Sequence, residues 1–412
     1  MSSSKCRFCQ TSLEQTFADL GMSPISNAFL KPDQLNLKEP FYPLHAYVCT
    51  KCLLVQLEQF ESPDAIFNDE YAYFSSFSDS WLKHAKEYAI EMVNRFGFDQ
   101  SSFVVEIASN DGYLLQYFVE KKIPVLGVEP SANVAEAARK KGVDTLVRFF
   151  GMDTAKELVA KGRRADLLLG NNVLAHVPDL NDFVAGMKIL LKPDGVITME
   201  FPHLLRLMRE NQFDTIYHEH FSYFSFLTVE KVFARHGLAL FDVQQLSTHG
   251  GSLRIFAKHS GDRSKDVTGA VNALLGEERE AGLDKLMTYD VFAEKVRMTK
   301  RKFLQFLVQA KENGKSIVAY GAPAKGNTLL NYCGVRTDFI DYTVDRSPHK
   351  QGMFLPGTHI PIYAPKRIFE TKPDYLLVLP WNLKEEIVQQ MSEIRSWGGQ
   401  FVVPIPEVTV IT

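Results

Sequence analysis

The feature of this sequence that most restricts its fold is an alternation of short apolar segments with longer helical segments, which begins at Phe103. The apolar segments have the length of buried strands, and the segments between them have helical spacing. Strands that alternate with helices of this length imply a mainly parallel sheet covered on both faces. Strands are predicted at Phe103–Ile107, Val125–Val128, Asp166–Leu169 and Gly195–Glu200, and helices at Ala132–Lys141 and Asn181–Leu191.

Further segments extend this pattern towards the C-terminus. Leu240–Gln244 and Ser252–Lys258 follow each other without room for a helix, so they predict an antiparallel pair that closes one edge of the sheet. Beyond a charged helical connector at 261–300, a second alternation predicts strands at Ser316–Tyr320, Phe339–Val344 and Tyr375–Leu379. A chain of 412 residues is too long for one core. The predicted fold is α/β with three domains, at 1–66, 67–260 and 261–412.

Four of the five cysteines form two Cys-x-x-Cys pairs near the N-terminus, Cys6 with Cys9 and Cys49 with Cys52. Two such turns supply the four sulfur ligands of a tetrahedral zinc site, which leaves no open position for catalysis. The first 60 or so residues are turn-rich and can scarcely form a hydrophobic core alone, so a bound metal is expected to stabilise them. Unligated cysteines are one alternative; a redox pair is disfavoured because neither pair begins a helix in a strand–helix unit. We therefore predict a structural zinc ion, with a loop or hairpin between the two pairs.

Charge and hydropathy restrict the partners and the location. The formal charge of −3 is spread without long runs of one sign, which disfavours nucleic acid, because binding to phosphates needs clustered lysine and arginine. The N-terminus has no apolar signal core, and no stretch approaches the roughly 18 apolar residues of a membrane span. We expect a cytoplasmic protein with neither a nucleic-acid nor a membrane partner. The sequence carries no indication of the number of subunits.

The turn after the first strand of the alternation contains Asn110, Asp111 and Gly112. Ligands of doubly wound sheets bind beyond the carboxyl ends of the strands, and Gly112 lets the backbone approach a ligand there. Because the turn lacks Gly-x-Gly-x-x-Gly, it favours S-adenosylmethionine, which has no phosphate, over a dinucleotide. Glu129 ends the next strand, where it can accept hydrogen bonds from ribose hydroxyls. The alternative is a helix-capping turn with Glu129 on the surface.

The residues Tyr217, His218, Glu219 and His220 form the densest group of side chains able to move protons. A His-x-His metal site and a structural network are the alternatives, and the metal site lacks an identifiable third ligand. In an extended segment, Tyr217 and Glu219 would face one way and the two histidines the other, unless the segment turns. We expect the group to lie at the ligand-binding edge of the sheet.

Two other polar segments are expected at the same edge. After the predicted strand Asp166–Leu169, Asn172 is expected to reach the cofactor and His176 the substrate. The loop at 249–254 contains Gly250 and Gly251, whose backbone amides could stabilise an oxyanion, or which could form a simple hairpin turn. The sequence favours neither interpretation of this loop.

These motifs together resemble those of a known family, the three-domain sugar C-3 methyltransferases that act on dTDP-linked 4-keto deoxy sugars in branched-sugar synthesis. The resemblance spans the whole chain. It implies a zinc-binding N-terminal domain, a central class I methyltransferase Rossmann-like sheet that binds S-adenosylmethionine, and a second Rossmann-like domain, with a nucleotide-linked keto sugar held between domains. Its motifs are the two cysteine pairs, Glu106–Leu115, Asn171–Pro178, Tyr217–Ser225, His249–Phe256 and Gly321–Asn327.

The resemblance also implies roles for individual residues. The cofactor would be held by Glu106, Asn110, Glu129, Asn172 and Tyr71, and the reacting sugar carbon would be surrounded by His176, Tyr217, Glu219 and His220. Lys325 and Asn327 would serve the diphosphate.

A carbon beside a ketone becomes nucleophilic once its proton is removed, and His220 is predicted to be the base. Tyr217 or His176 would donate a hydrogen bond to the enolate oxygen, and Glu219 would orient a histidine and fix its tautomer. Two alternatives stay open: a methyltransferase with another small-molecule substrate, and a non-catalytic nucleotide-sugar-binding protein.

Overall fold

The computed structural model describes residues 4–62 and 74–412, which form three sheets. The first is a four-stranded antiparallel sheet in the order β1-β2-β3-β9. Its strands are β1 (Gln15–Ser23), β2 (Tyr42–Val48), β3 (Val55–Leu57) and β9 (Ser222–Tyr223). Of the loop or hairpin predicted between the cysteine pairs, the structure has an antiparallel pair, β1 and β2. Because β9 comes from the segment after His220, the N-terminal sheet includes a strand of the central region.

The second sheet has seven strands in the order β10-β11-β8-β7-β4-β5-β6. These are β4 (Val104–Ile107), β5 (Val125–Val128), β6 (Thr145–Leu146), β7 (Ala165–Asn171), β8 (Leu191–Pro202), β10 (Leu238–Leu246) and β11 (Ser252–His259). Neighbours from β6 to β8 are parallel, whereas β11 is antiparallel to both β8 and β10. The predicted antiparallel pair is confirmed, with β11 inside the sheet and β10 at its edge.

Helices cover the central sheet. They are α1 (Asp79–Phe96), α2 (Gln116–Glu120), α3 (Ala132–Lys140), α4 (Met152–Ala160), α5 (Leu180–Leu190), α6 (Leu204–Arg209) and α7 (Phe226–Arg235). All four residues of β4 are buried, as expected for a parallel strand covered on both faces. Helix α1 begins at a cap in which the Ser78 side chain accepts from Trp81 N, and it ends at Gly97 in the left-handed conformation.

The third sheet has the order β14-β13-β12-β15-β16-β17 and is parallel except for β17. Its strands are β12 (Ile317–Tyr320), β13 (Thr343–Val344), β14 (Ile362–Tyr363), β15 (Tyr375–Val378), β16 (Gln400–Val403) and β17 (Thr409–Ile411). The accompanying helices are α8 (Gly269–Glu280), α9 (Met287–Asp290), α10 (Phe292–Glu312), α11 (Ala324–Cys333), α12 (Arg367–Thr371) and α13 (Lys384–Gln390).

One predicted strand is shorter than expected. The segment predicted as Phe339–Val344 pairs only over β13, because the amides of Phe339 and Ile340 both bond to the carbonyl of Arg336 in a turn. The sequence predicted a longer strand because the side chains of this turn are apolar. The connection to the third sheet, predicted as helical at 261–300, contains α8, α9 and the start of α10.

The first and third sheets are connected by direct packing. The rings of Phe17 in β1 and Phe292 in α10 are stacked with centroids 4.5 Å apart. Leu30 and Phe354 form an antiparallel bridge. The carboxyl ends of β4, β5, β7 and β8 therefore face elements from both ends of the chain. In residues 4–62 and 74–412, no helix has the length and apolar character needed to cross a membrane.

Candidate active site and metal centre

The four cysteines of the two pairs converge on one point. Their sulfur atoms all lie within 4.8 Å of one another, with Cys6 Sγ 3.5 Å from Cys52 Sγ and Cys9 Sγ 3.4 Å from Cys49 Sγ. A tetrahedral ion with bonds of about 2.3 Å would hold its sulfur ligands about 3.8 Å apart. The sulfur cluster therefore fits zinc, and the structure brings together the four predicted ligands.

The two cysteine turns have the same local geometry. In each turn the residue after the second cysteine donates its amide to the first cysteine's carbonyl: Gln10 to Cys6 and Leu53 to Cys49, both at 2.9 Å. Gln10 and Leu53 have φ angles of 63° and 66°. The reversal of the chain in these turns directs both sulfurs of each pair towards the same point.

The zinc-binding turns are also bound to the central region. The guanidinium of Arg7, between Cys6 and Cys9, donates to the carbonyl of Pro178 at 2.7 Å. The central carbon of this guanidinium, Cζ, lies 5.3 Å from the centre of the Phe221 ring. Burial lowers the pKa of Arg7 to about 10, so it stays charged at neutral pH. The first cysteine turn thus contacts both of the segments that contain predicted catalytic residues.

A cavity of about 540 Å³ lies at the carboxyl edge of the central sheet. Its wall contains residues from all three regions: Asn27 from the N-terminal region, many from the central sheet, and Lys325 and Lys350 from the third sheet. In addition to Lys325, seven predicted residues of the central region line it: Asn110, Glu129, Asn172, His176, Tyr217, Glu219 and His220. The structure therefore gathers most of the predicted site in one cavity.

At the cofactor end, Glu129 is oriented by backbone amides. Its two carboxylate oxygens accept from Asn110 N at 3.0 Å and from Ser131 N at 2.9 Å. Burial raises the pKa of Glu129, and these two hydrogen bonds act in the opposite direction. A carboxylate held in this way can still accept hydrogen bonds from a ribose, so the residues fit S-adenosylmethionine.

The turn before Glu129 depends on Gly112. Its φ angle is 74°, and a Cβ atom there would lie 3.0 Å from Val143 Cγ2. Asn110, in the same turn, has a φ angle of 47° and accepts from Ser75 N through its Oδ1 at 2.8 Å. Close packing and left-handed backbone conformations together shape the wall of the cavity here.

Two of the residues predicted to hold the cofactor, Glu106 and Tyr71, are not among the described residues that line the cavity. Glu106 is fully buried and does not belong to the cavity wall, which corrects the expectation that it lies beside the cofactor. Burial raises its pKa well above the usual value, while a hydrogen bond from Tyr113, which does line the cavity, acts in the opposite direction. Tyr71 lies outside the described residues.

At the catalytic end, the chain turns instead of running extended. The amide of His220 bonds to the carbonyl of Tyr217 at 2.9 Å. As a result Tyr217, Glu219 and His220 all line the cavity, while His218 Nε2 lies 3.2 Å from the carbonyl oxygen of Pro43. The alternation was expected only if the segment did not turn, and this tight turn is that exception.

The hydrogen bonds of His220 fix its tautomer. Its Nδ1 lies 2.9 Å from the carbonyl oxygen of Thr215, and its Nε2 lies 2.8 Å from the hydroxyl of Tyr217. Because a carbonyl only accepts, the proton belongs on Nδ1, and the unprotonated Nε2 accepts from Tyr217. The carbonyl of Thr215, not Glu219, therefore sets the tautomer of His220.

Burial keeps the histidines of the cavity neutral. It lowers the pKa of His220 well below the usual value, and the nearby His176 lowers it further. Burial also lowers the pKa of His176 to about 4, and the two rings have centroids 4.6 Å apart. At neutral pH, His220 therefore has a lone pair available at Nε2.

The carboxyl group of Glu219 is bound by the N-terminal region. Its Oε1 accepts from the side-chain amide of Asn27 at 2.7 Å. Burial raises the pKa of Glu219 to about 7, and the hydrogen bond from Asn27 acts in the opposite direction. This carboxylate contacts Asn27, and it is the carbonyl of Thr215 that orients His220. Its predicted role in orienting another histidine stays a prediction.

Several cavity residues were missed by sequence reasoning, and His249 and Asn27 are two of them. The side chain of His249 lines the cavity, where its Nε2 lies 2.9 Å from Asn172 Nδ2, although only the backbone of its loop was considered. His249 and Asn172 have φ angles of 54° and 53°. Asn27 had no sequence signal, because it lies in the long connection between the cysteine pairs.

Of the two residues predicted to bind the diphosphate, only Lys325 lines the cavity. Lys325 lines the cavity, donates to Asn382 Oδ1 at 2.8 Å and lies 4.5 Å from the centre of the Trp381 ring. Asn327 is buried on the inner side of α11 and is not part of the cavity wall, which corrects its predicted role. Lys350 provides a second ammonium group in the wall.

The sheet order and this cavity define the class of the protein as an S-adenosylmethionine-dependent methyltransferase with an attached zinc-binding region. Family models match three consecutive parts of the chain: "Putative zinc binding domain" at residues 6–67, "Methyltransferase domain" at 81–243 and "C-methyltransferase C-terminal domain" at 247–406. C-methyltransferase NovU of Streptomyces niveus is 36% identical over 411 residues, which cover 99% of this chain and 97% of that protein. The chain belongs to this C-methyltransferase family.

Other matches cover parts of the chain. Ubiquinone biosynthesis O-methyltransferase of Bartonella bacilliformis is 25% identical over 126 residues, which cover 29% of this chain and 51% of that enzyme. The crystal structure of Burkholderia thailandensis 1,6-didemethyltoxoflavin-N1-methyltransferase, with bound 1,6-didemethyltoxoflavin and S-adenosylhomocysteine, is 18% identical. It covers 50% of this chain and 95% of that one, with a TM-score of 0.37. The match to NovU, in contrast, extends over all three sheets.

Proposed function

We propose that this C-methyltransferase adds a methyl group to C-3 of a dTDP-linked 4-keto deoxy sugar, through an enolate, in the synthesis of a branched sugar. The observation that carries the proposal is the state of His220: a neutral imidazole with an unprotonated Nε2, in the same cavity as Glu129 and Asn110. Carbon methylation needs a base, because the carbon beside a ketone becomes nucleophilic only when it loses a proton. The motifs shared with sugar C-3 methyltransferases support the choice of substrate.

The cofactor would lie at the carboxyl ends of β4 and β5. Asn110, Glu129 and Asn172 would hold it, and Tyr71 is proposed for the same pocket. Glu106 would act indirectly, through its hydrogen bond with Tyr113. When bound, S-adenosylmethionine supplies an electrophilic methyl group, which is transferred as the methyl–sulfur bond breaks and S-adenosylhomocysteine remains.

His220 would remove the proton from C-3 of the sugar. The proton passes to Nε2, and the electron pair of the C–H bond passes into the C-3–C-4 bond, so that negative charge develops on the ketone oxygen. Tyr217, whose hydroxyl lies 2.8 Å from Nε2, would turn its proton to that oxygen, and the His176 ring is a second candidate donor. Donors aimed at developing charge lower the barrier most where water is excluded.

The nucleotide would be held between the central and third sheets. Lys325 and Lys350 supply positive charge in the cavity wall, which suits a diphosphate. We propose that the zinc ion is structural, with Cys6, Cys9, Cys49 and Cys52 as ligands. The proposed domains are 1–66, 67–260 and 261–412, which assign the zinc ion, the cofactor and part of the nucleotide site to different domains.

Hydrogen exchange at C-3 tests the proposal directly. Purified protein is incubated with a dTDP-4-keto deoxy sugar in deuterated water, with and without S-adenosylmethionine, and the sugar is followed by NMR and mass spectrometry. We expect deuterium at C-3 without the cofactor and a C-linked methyl group with it.

His220→Ala should abolish both reactions while the affinity for S-adenosylmethionine, measured by calorimetry, stays nearly unchanged. His220→Gln, which keeps a polar side chain of similar length, should behave in the same way. Normal exchange in both variants would exclude His220 as the base. Methylation of oxygen instead of carbon would exclude the proposed reaction.

A further inference from the structure

The segment from Tyr217 to Tyr223, which carries the proposed catalytic residues, is bound on several sides by the N-terminal zinc-binding region. Strand β3 pairs with β9, in which Val55 faces Tyr223, and the amide of Leu57 donates to the carbonyl of Phe221 at 3.1 Å. Arg7, within the first cysteine turn, contacts the ring of Phe221. The zinc-binding region therefore forms part of the support of the cavity, not a separate module.

One side chain of this region enters the cavity itself. Asn27 is exposed at the rim, lines the cavity wall and donates to Glu219 Oε1 at 2.7 Å, although 192 residues separate the two in sequence. Glu219 is nearly fully buried. A buried carboxyl group depends strongly on its hydrogen-bond donors, because water cannot replace them.

The position of Asn27 is set by the third sheet as well. Three residues later, Leu30 exchanges two backbone hydrogen bonds with Phe354, at 3.0 and 2.9 Å. The ring of Phe29 lies 5.2 Å from Lys350 Nζ, and Lys350 also lines the cavity. Further along, Glu39 accepts from the amide of Gly357 at 2.6 Å. These contacts hold the segment that follows Asn27 against the region of the third sheet.

We infer that Asn27 is a positioning residue of the active site, through which the zinc-binding region holds the carboxyl group of Glu219 against the bound substrate. This role rests on the proposed function, in which Glu219 is one of the residues around the reacting carbon. Asn27 takes no part in bond making or breaking. It keeps Glu219 in one orientation and, as a hydrogen-bond donor, favours the ionised form of that group.

The test is a donor–acceptor exchange. Asn27→Ala removes the hydrogen-bond donor to Glu219. Asn27→Asp replaces it with a second carboxylate, which repels that of Glu219. We expect kcat for methyl transfer to fall by about tenfold in the first variant and further in the second, since hydrogen bonds to charged groups are stronger than neutral ones. In a Glu219→Gln background, Asn27→Asp should be harmless or beneficial, because the new amide can donate to the new carboxylate.

Asn36→Ala is the matched control. Asn36 is exposed and lies in the same connection between the cysteine pairs, so its substitution should leave kcat unchanged. Metal analysis should find the same zinc content in all of these proteins. Equal kcat values for the Asn27 and Asn36 variants, or independent effects of the Asn27 and Glu219 substitutions, would overturn the inference.

The pH dependence of kcat gives a second readout. The hydrogen bond from Asn27 lowers the pKa of Glu219, so loss of this donor should shift the part of the kcat–pH profile that reflects Glu219 to higher pH. Glu219→Gln should remove that part of the profile. The variants leave the other titratable groups of the cavity wall unchanged: Tyr113, Glu129, Arg148, His176, Asp179, Asp182, Tyr217, His220, His249, Lys325 and Lys350. An unshifted profile in Asn27→Ala would contradict the positioning role.

Chemical denaturation of the same proteins separates this inference from the proposed function. The donor–acceptor exchange should appear in the free energy of unfolding even if no sugar nucleotide is methylated. Coupling in stability without methyl transfer would reject the proposed substrate and retain the contact between the two regions. Methyl transfer without any coupling would retain the function and reject the role of Asn27.

Discussion

His220 is held so that one of its nitrogens, Nε2, is unprotonated and can accept a proton. The carbonyl of Thr215 takes the proton of Nδ1, and burial keeps the ring neutral at pH 7. Its Nε2 shares a hydrogen bond with Tyr217, a group that can pass its own proton elsewhere. A base and a donor in direct contact can work together on adjacent atoms of a ketone, since one removes a proton while the other stabilises the charge that results.

Tyr217→Phe tests the donor. The ring and its packing remain, but the hydroxyl that would reach the enolate oxygen is lost. We expect kcat to fall by about 100-fold, the usual effect of removing one such donor, with little change in KM. Steady-state methyl transfer measures both constants.

Tyr363→Phe, at an exposed position that is not part of the cavity wall, serves as the control for this substitution. It should have unchanged kinetics. A Tyr217→Phe variant with normal kcat would leave His176 as the donor.

Individual residues differ in how well the sequence predicts them. The four cysteines were predictable because the Cys-x-x-Cys spacing itself forms the turn that directs two sulfurs to one metal. His220 and Glu129 were predictable because they follow buried strands, whose carboxyl ends meet at one edge. Asn27 was not, because its contact with Glu219 depends on how two distant regions pack, and a lone asparagine in a long connection has no pattern.

At the scale of elements, the turn between β4 and α2 shapes the cofactor end of the cavity. Ala108, Asn110 and Gly112 all have positive φ angles there, so the turn is tighter than an ordinary loop. The sequence suggested the role of Gly112, but not the packing that makes it necessary. The apolar runs of β4 and β5 were easy to assign because both faces are covered, whereas β13 was overextended because an apolar turn resembles a strand.

Gly112→Ala tests this turn. An added Cβ would meet Val143 Cγ2 at 3.0 Å and Ala138 Cβ at 3.2 Å, in a conformation that L side chains rarely adopt. We expect a loss of about 1–2 kcal/mol in the free energy of unfolding from the backbone conformation alone. The affinity for S-adenosylmethionine should also fall, because the turn must shift. Urea denaturation and calorimetry measure the two effects.

Gly162→Ala separates backbone strain from the clash. Gly162 has a φ angle of 75°, but a Cβ there would have nothing within 4 Å. This variant should lose similar stability and keep the normal cofactor affinity. Equal affinities in the two variants would show that the turn at Gly112 does not shape the cofactor site.

At the scale of the whole molecule, three regions converge on one cavity. The first cysteine turn contacts, through Arg7, residues that follow the proposed catalytic residues in sequence, namely Pro178 and Phe221. The third sheet contributes Lys325 from the start of α11, and the central sheet contributes the rest. The order of the domains was predictable from the sequence, but their convergence was not, because contacts between domains follow from surfaces that no local pattern describes.

Removal of zinc should therefore lower the rate of methyl transfer. Without the metal, the cysteine turn that contains Arg7 loses its geometry, and small displacements of catalytic groups can lower rates by about 100-fold. We expect kcat to fall by that order after chelation, while cofactor binding to the central sheet weakens much less. Methyl transfer and calorimetry on the metal-free protein, with zinc restored as the control, make the comparison. A normal kcat without zinc would mean that the two regions work independently.

Glu219 should make the stability of the whole protein depend on pH. Its folded-state pKa of about 7 lies above the value of about 4.3 for an unfolded glutamate. The folded chain therefore binds more protons between these values, so the stability contributed by the neutral carboxyl is complete below about pH 4.3 and is lost as the pH rises through 7. Glu219→Gln keeps an acceptor for Asn27 and removes this loss.

The difference in unfolding free energy between Glu219→Gln and the wild-type protein should thus increase from pH 5 to pH 8, by up to about 3 kcal/mol at about 1.4 kcal/mol per pKa unit. Other buried groups, such as Asp214 and His176, titrate in both proteins, and their effects cancel in the difference. Urea denaturation at several pH values provides the measurement. A difference that stays constant with pH would mean that Glu219 is ionised in the folded protein throughout, with Asn27 and the cavity together compensating for its burial.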